Sequence, residues 1–200
     1  MSARRDIAGC ILAGGRSRRM GEDKARFHLG GVMLLKRSIE RLKPQVASVI
    51  INVHEDAPDL GRYGLPVVED AEGEHQGPLA GLLAALCWAR ENHFAWVASV
   101  AVDTPFFPLD LVSRLAEAAS DRDMAVARSG GRLHPVFGLW RTTLASDLAR
   151  FIKDGSRSAH HWADDAAIVD WPARPYDPFF NINEPRDIST ALLIEVEFHP

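Results

Sequence analysis

Residues 7–24 read Ile7-Ala8-Gly9-Cys10-Ile11-Leu12-Ala13-Gly14-Gly15-Arg16-Ser17-Arg18-Arg19-Met20-Gly21-Glu22-Asp23-Lys24. The opening run, 7–13, is short, apolar and continuous rather than alternating, which suits a strand buried on both faces. Two adjacent glycines end it. Lacking a Cβ, they let backbone N–H groups come close to an anion. Arg16, Arg18, Arg19 and Lys24 then crowd one short loop. Cations packed this closely repel each other unless an anion sits among them, and a nucleoside triphosphate suits that place. The loop is not a Walker A sequence, because Glu22 rather than Lys follows Gly21, and it is not G-x-G-x-x-G. The bland alternative is a charged, solvated turn. The position directly after a buried strand argues against it.

Outward from this stretch the chain alternates strand and helix. Leu34, Leu35, Ile39 and Leu42 recur at helical spacing with Lys36, Arg37, Glu40 and Arg41 between them, an amphipathic helix stopped by Pro44. Strands are expected at 46–53, 65–68 and 95–102, with helices at 79–91 and 109–119. Residues 124–127 and 135–140 read as strands joined through a Ser129-Gly130-Gly131-Arg132 hairpin turn. Helical segments at 142–153 and 158–163, a strand at 167–170 and a terminal helix from about 185 complete the pattern. The whole of 1–200 reads as one α/β domain. Its sheet is mostly parallel with helices on both faces, and the hairpin adds antiparallel character.

Composition narrows the function classes. The chain has 200 residues, 46% hydrophobic and 25% charged, with a formal net charge of −4. A mildly acidic chain is a poor clamp for nucleic acid, which needs a net basic face. The two cysteines, Cys10 and Cys87, form no C-x-x-C pair and read as buried free thiols. No run approaches the ~20 apolar residues of a membrane span. The first apolar run is too short, and too quickly followed by arginines, for a signal sequence. The expectation is a cytoplasmic, soluble protein.

In open α/β sheets ligands sit outside the carboxyl ends of the strands. The residues at those ends are Gly14-Gly15, Asn52, Asp70 and Asp103, and two further segments, 76–81 and 180–185, also carry candidate chemistry. Asp103, before Thr104-Pro105, reads equally as a Mg2+ ligand or as a turn cap. Asp70 and Asn52 are ligand contacts or turn residues. Gln76-Gly77-Pro78-Leu79-Ala80-Gly81 is a tight helix entry whose backbone amides can hold an anion or read a base edge, or simply an ordinary helix start. Asn181 and Asn183 alternate in 180–185 and would project to one side if that segment is extended; Asn183 alternatively caps the terminal helix. Asp121-Arg122-Asp123 and His160-His161 read as surface residues. The sequence displays no Ser-His-Asp arrangement.

Taken in order, the first loop, Gly77-Pro78-Leu79-Ala80-Gly81, Asp103-Thr104-Pro105, His134-Pro135-Val136-Phe137-Gly138-Leu139-Trp140 and Asn181-Ile182-Asn183 resemble the molybdenum cofactor guanylyltransferase (MobA) family. The resemblance runs from about residue 7 to 188. It implies a Rossmann-like nucleotidyltransferase fold. It also implies transfer of GMP from GTP to the terminal phosphate of molybdopterin or Mo-molybdopterin, with Mg2+ as cofactor and pyrophosphate as the other product. By similarity, Leu12, Ala13, Gly14, Gly15, Lys24, Asn52, Asp70, Gly77, Gly81 and Asp103 contact the nucleotide. Asp103 is also the metal ligand, and Lys24, Arg19 and Asp103 carry catalysis. Asn181 and Asn183 match the family's paired asparagines and would meet the acceptor. The implied partners are molybdenum-insertion proteins and apo-molybdoenzymes or their chaperones, with no nucleic acid and no membrane, and the chain is expected to be a monomer. A cytidylyltransferase using the same acceptor and a non-catalytic adaptor are the alternatives. Three departures stand out: Gly21-Glu22-Asp23-Lys24 is one residue short, Glu184-Pro185 replaces Thr-Pro, and Met33 stands where Pro is common.

Overall fold

The computed structural model describes residues 3–14, 27–54, 58–70, 77–184 and 186–198. The apolar opening run forms β1 (Ile7–Leu12), at the heart of a seven-stranded sheet of order β5 (Val67–Glu69), β4 (Ser48–Val53), β1, β6 (Trp96–Ala101), β8 (Arg132–Arg141), β7 (Met124–Ser129), β9 (Ala167–Trp171). A two-residue hairpin follows, β2 (His28–Leu29) and β3 (Val32–Met33), turned by Gly30 and Gly31 at φ 57° and 82°. Its strands are too short for periodicity in the sequence to reveal. Both glycines occupy the left-handed region that a two-residue hairpin turn requires.

From the hairpin the chain enters α1 (Leu34–Leu42), crosses to β4 (Ser48–Val53) and then to β5 (Val67–Glu69), both parallel on one side of β1. It then runs through α2 (Pro78–Glu91) to β6 (Trp96–Ala101), parallel to β1 on its other side. The change of direction puts a topological switch point between β1 and β6, where a crevice opens outside the strand ends. After α3 (Leu111–Ala118) come β7 (Met124–Ser129) and β8 (Arg132–Arg141), an antiparallel pair whose second strand also pairs antiparallel with β6. The chain continues through α4 (Ala145–Lys153) and α5 (Ala159–Trp162). Strand β9 (Ala167–Trp171) then adds in parallel beside β7, and α6 (Asp187–Phe198) closes the chain. The terminal helix therefore starts at Asp187, because the Asp187 carboxylate reaches back to accept the N–H groups of Asn183 and Glu184, both at 2.8 Å.

Each face of the sheet has its own core. Ile7 and Ile11 of β1 pack with residues of α1, α3 and α6, while Ala8 and Cys10 pack with α2, α4 and α5. This is the period-two alternation of a strand buried on both sides. Gly9 sits where α1 closes on the sheet: a Cβ there would come within 2.8 Å of the Leu42 side chain. Cys10 is a buried thiol that burial pushes far above its ordinary pKa, so it behaves as a small apolar residue. Cys87 is only half-buried. Met33 does more than pack, since its sulfur accepts from Arg62 at 3.4 Å and from the Tyr63 hydroxyl at 3.8 Å.

Candidate active site

The switch point gathers most of the expected residues that the structure describes. Leu12 at the end of β1 lies opposite Asn52 on one side and Ala101 on the other. Main-chain bonds carry this frame past the strand ends: Ala13 N–H donates to Asn52 O at 2.9 Å, and Val102 N–H to Leu12 O at 3.2 Å. Gly14 follows, so close to the neighbouring chain that a Cβ would approach His54 N at 3.0 Å. A side chain here would have to displace backbone.

Asn52 is 2% exposed and both protons of its amide nitrogen are committed. Its Nδ2 donates to Val68 O at 3.2 Å and to Asp70 Oδ1 at 2.9 Å. The amide oxygen faces α2, where a Cβ on Gly81 would fall 2.1 Å from Asn52 Oδ1 and 2.9 Å from Leu12 Cδ2. The second glycine of the helix entry is thus a seat for Asn52. The first, Gly77, has φ 67° and ψ −153°, a region essentially reserved for glycine, and Pro78 starts the helix. Asp70 is held at main chain and side chain: its N–H donates to Val53 O at 2.9 Å, and His54 Nδ1 lies 3.1 Å from its Oδ2. Asn52, Asp70 and Gly81 therefore make one connected floor rather than three separate contacts. His54 belongs to it, although nothing in its sequence position distinguished it from a strand end.

Asp103 stands across the crevice, just beyond β6, half-buried. The turn beneath it is made by Thr104, whose N–H donates to Ala101 O at 3.3 Å and whose hydroxyl donates to Asp103 Oδ1 at 3.3 Å. The turn-cap and ligand readings of this residue are thus compatible, since Thr104 supports the carboxylate rather than the reverse. The donor chemistry fits a hard divalent cation. Mg2+ needs only one or two protein carboxylates when phosphates and water complete its shell, and among the described residues no larger cluster of metal-binding side chains occurs. The carbonyl of Asp103 also accepts the Ile182 N–H at 2.8 Å. That bond brings Asn181 and Asn183, both exposed, to the same end of the sheet. Gly15, Arg16, Arg18, Arg19, Lys24 and Gln76 lie outside the described residues.

The weaker candidates take surface roles. Asp123 pairs with Arg141 at 2.7 Å, and exposed His161 pairs with Asp164 beside the Ser158 cap of α5. The fold does, however, assemble one Ser-His-Asp group: Ser129, His134 and Asp177 meet at the carboxyl end of β7. The hydroxyl stands between the other two, and Ser129 is 1% exposed. This order differs from that of a nucleophilic triad, in which the imidazole stands between serine and carboxylate. Among the described residues no helix is long and apolar enough to cross a membrane.

Comparison with known proteins agrees with this geometry. Residues 9–168 match the family described as MobA-like NTP transferase domain. The chain is 44% identical over 191 residues to the molybdenum cofactor guanylyltransferase of Nitrobacter hamburgensis, covering 92% of this chain and 91% of that protein. It is also 44% identical over 198 residues to the protein of the same name from Rhizobium leguminosarum, covering 94% and 92%. Among solved structures, molybdopterin-guanine dinucleotide biosynthesis protein A from Archaeoglobus fulgidus superposes with a TM-score of 0.75 at 25% identity, covering 95% of this chain and 99% of that one. A 4-diphosphocytidyl-2C-methyl-D-erythritol synthase from Anaerococcus prevotii reaches 0.74 at 12% identity, with 96% of each chain covered, so it shares the fold alone. On these matches the chain belongs to the MobA-like NTP transferase family and, within it, to the molybdenum cofactor guanylyltransferases.

Proposed function

We infer that the chain transfers GMP from GTP to the terminal phosphate of molybdopterin, releasing pyrophosphate. The observation that carries this reading is the meeting of two halves at Asp103. On one side lies the Leu12, Asn52, Asp70 and Gly81 floor for a nucleotide. On the other lies the asparagine segment, bonded to the Asp103 carbonyl through Ile182. The names of the relatives support the choice of guanine and of molybdopterin.

The chemistry asks for positioning more than for proton transfer. The acceptor phosphate has a second pKa near ~6 and is largely dianionic at neutral pH, so it attacks without a general base. One of its oxygens bonds to the α-phosphorus as the bond from that phosphorus to the bridging oxygen of pyrophosphate breaks. Asn52 and Asp70 hold the nucleoside end of GTP. Gly14 and Gly15 offer N–H groups to the phosphates, and Arg19 and Lys24 offset their charge. Asp103 would hold Mg2+, which when bound supplies charge neutralisation at the reacting phosphates. Asn181 and Asn183 orient the acceptor, so that two anions are brought into line at little further entropic cost.

The deciding experiment measures pyrophosphate release with Mg2+, using GTP and CTP in parallel, with and without molybdopterin. Release that needs both GTP and molybdopterin is expected. Release with CTP in place of GTP would keep the fold and mechanism but overturn the base. No release with either nucleotide, from folded protein and competent acceptor, would leave a nucleotide- or cofactor-binding adaptor.

A further inference from the structure

We propose that Ser129, His134 and Asp177 are positioning residues for the acceptor half of the reaction, clamping the segment that carries Asn181 and Asn183 against the sheet beside Asp103. The proposal rests on the functional reading above, in that the acceptor is taken to meet the asparagines.

The clamp begins with an irregularity. Between β7 and β8 the register jumps from Val126 opposite Gly138 to Ala127 opposite His134, so residues 135–137 bulge out of the ladder. Bulges re-aim side chains and gather near active sites. This one brings the His134 ring to Ser129, with Nε2 at 2.8 Å from the Ser129 hydroxyl oxygen. The same hydroxyl lies 2.7 Å from Asp177 Oδ1. A serine has one proton to give. The carboxylate can only accept, so the hydroxyl donates to Asp177, and His134 must therefore donate to Ser129 from Nε2. Asp177 Oδ1 takes a second bond from the Phe179 N–H at 2.9 Å. Every donor in the chain of bonds has one acceptor, and the direction of each bond follows from its chemistry.

Phe179 converts that polar anchor into a packed one. Its ring stacks on His134 at 4.8 Å between centroids, tilts against Phe137 at 5.0 Å and meets Trp171 edge-on at 5.6 Å. Two residues after Asn181, the Asn183 N–H is held by Asp187. Between them Ile182 is buried and bonds to the Asp103 carbonyl. The segment is thus fixed at Asp177, Phe179, Ile182 and Asn183, while Asn181 and Asn183 remain exposed.

Stability alone does not call for this arrangement. A site as buried as Ser129 could be filled by alanine or valine with no polar group to desolvate, and buried polar groups often contribute little net stability against apolar replacements. What hydrogen bonds add is direction and register. Here they set the register of the asparagine segment relative to the carboxylate placed at the metal site.

The test uses Ser129→Ala, Asp177→Ala and Asp177→Asn in the full chain. The amide introduced by Asp177→Asn keeps an oxygen able to accept from Ser129 and Phe179, so that variant is the conservative control. Rates are measured with GTP and molybdopterin varied separately. Amide hydrogen exchange of the ligand-free protein is read across 177–183, with α2 as internal reference. Expected for both alanine variants is a fall in kcat/KM for molybdopterin of about tenfold or more, with KM for GTP within about twofold of wild type. Exchange should quicken in 177–183 and stay unchanged in α2. Asp177→Asn should stay near wild type on both measures. Unchanged molybdopterin kinetics would overturn the proposal, as would equal losses for both substrates or an Asn variant as impaired as the Ala variant. If Ser129→Ala does not fold, Asp177→Ala, in a half-buried loop, decides alone. If the wild type transfers nothing to molybdopterin, the functional reading fails, and unchanged exchange in the alanine variants would still disprove the clamp.

Discussion

Asp103 and Gly81 make the sharpest single-residue predictions because each acts through a contact with little slack. Asp103→Ala removes the carboxylate proposed to hold Mg2+ but leaves the bond from Ile182, which uses the main-chain carbonyl. Turnover should fall by about a thousandfold or more while the thermal midpoint stays close to wild type; near-normal pyrophosphate release would remove Asp103 from the metal site. Gly81→Ala places a methyl group 2.1 Å from Asn52 Oδ1. Asn52 cannot retreat, since its amide is bonded to Val68 and Asp70. Small displacements of binding groups are costly, so kcat/KM for GTP should drop by roughly tenfold to a hundredfold. An unchanged value would mean that the nucleotide does not rest on this floor. The importance of Gly81 was visible in sequence only through family resemblance. Its partner Asn52 lies on another element, and local patterns do not report such approaches.

Among the elements, α6 and the β2–β3 hairpin stand or fall together. Arg37 of α1 donates to Leu29 O at 2.6 Å and pairs with Glu195 of α6 at 2.5 Å, with side-chain exposures of only 11% and 23%. Removing one partner strands a mostly desolvated charge. Glu195→Ala should cost about 2 kcal/mol in urea unfolding, less than for a fully enclosed pair, and Arg37→Met should recover part of it when combined with Glu195→Ala. Additive losses in the double variant would show that the two groups are not coupled. The hairpin this pair supports was legible in principle. Gly30-Gly31 turns it with the same left-handed pair of φ values as Gly130-Gly131, at 54° and 79°. The second turn is recognisable because long β7 and β8 flank it, whereas two-residue strands offer no alternation to read. The start of α6 was hidden for a different reason: Asp187 caps backward onto Asn183 and Glu184, a contact that residue type alone does not announce. The buried strands β1, β4 and β6 and the amphipathic α1 were plain in sequence, because burial imposes a pattern on the residues themselves.

For the molecule as a whole, pH offers a global readout of the clamp. Burial holds the His134 imidazole below its ordinary value of 6.5, with Arg132 and His160 pushing the same way and Asp177 opposing. Between the folded and unfolded values the unfolded chain binds the extra proton. His134 therefore contributes its full stability above pH 6.5, and that contribution drains away as pH falls through the folded value. The urea midpoint should drop between about pH 7.5 and 5.5, and His134→Gln should lessen that drop; an identical slope in the variant would remove His134 from the linkage. The Ser129–His134–Asp177 meeting spans 48 positions and depends on a register bulge, so no reading along the chain could have found it. The bond from the Ile182 N–H to the Asp103 carbonyl has another consequence. It joins main chain to main chain, so among substitutions only a proline at 182, which removes the N–H, deletes it directly. The spacing between the two substrate halves is then inherited with the path of the chain, and the side chains around it are free to diverge. Under the proposed function, the base and the acceptor could be exchanged by side-chain changes that leave this main-chain spacing alone. A laboratory library that randomises the crevice walls while sparing 103 and 182 would start from the same advantage.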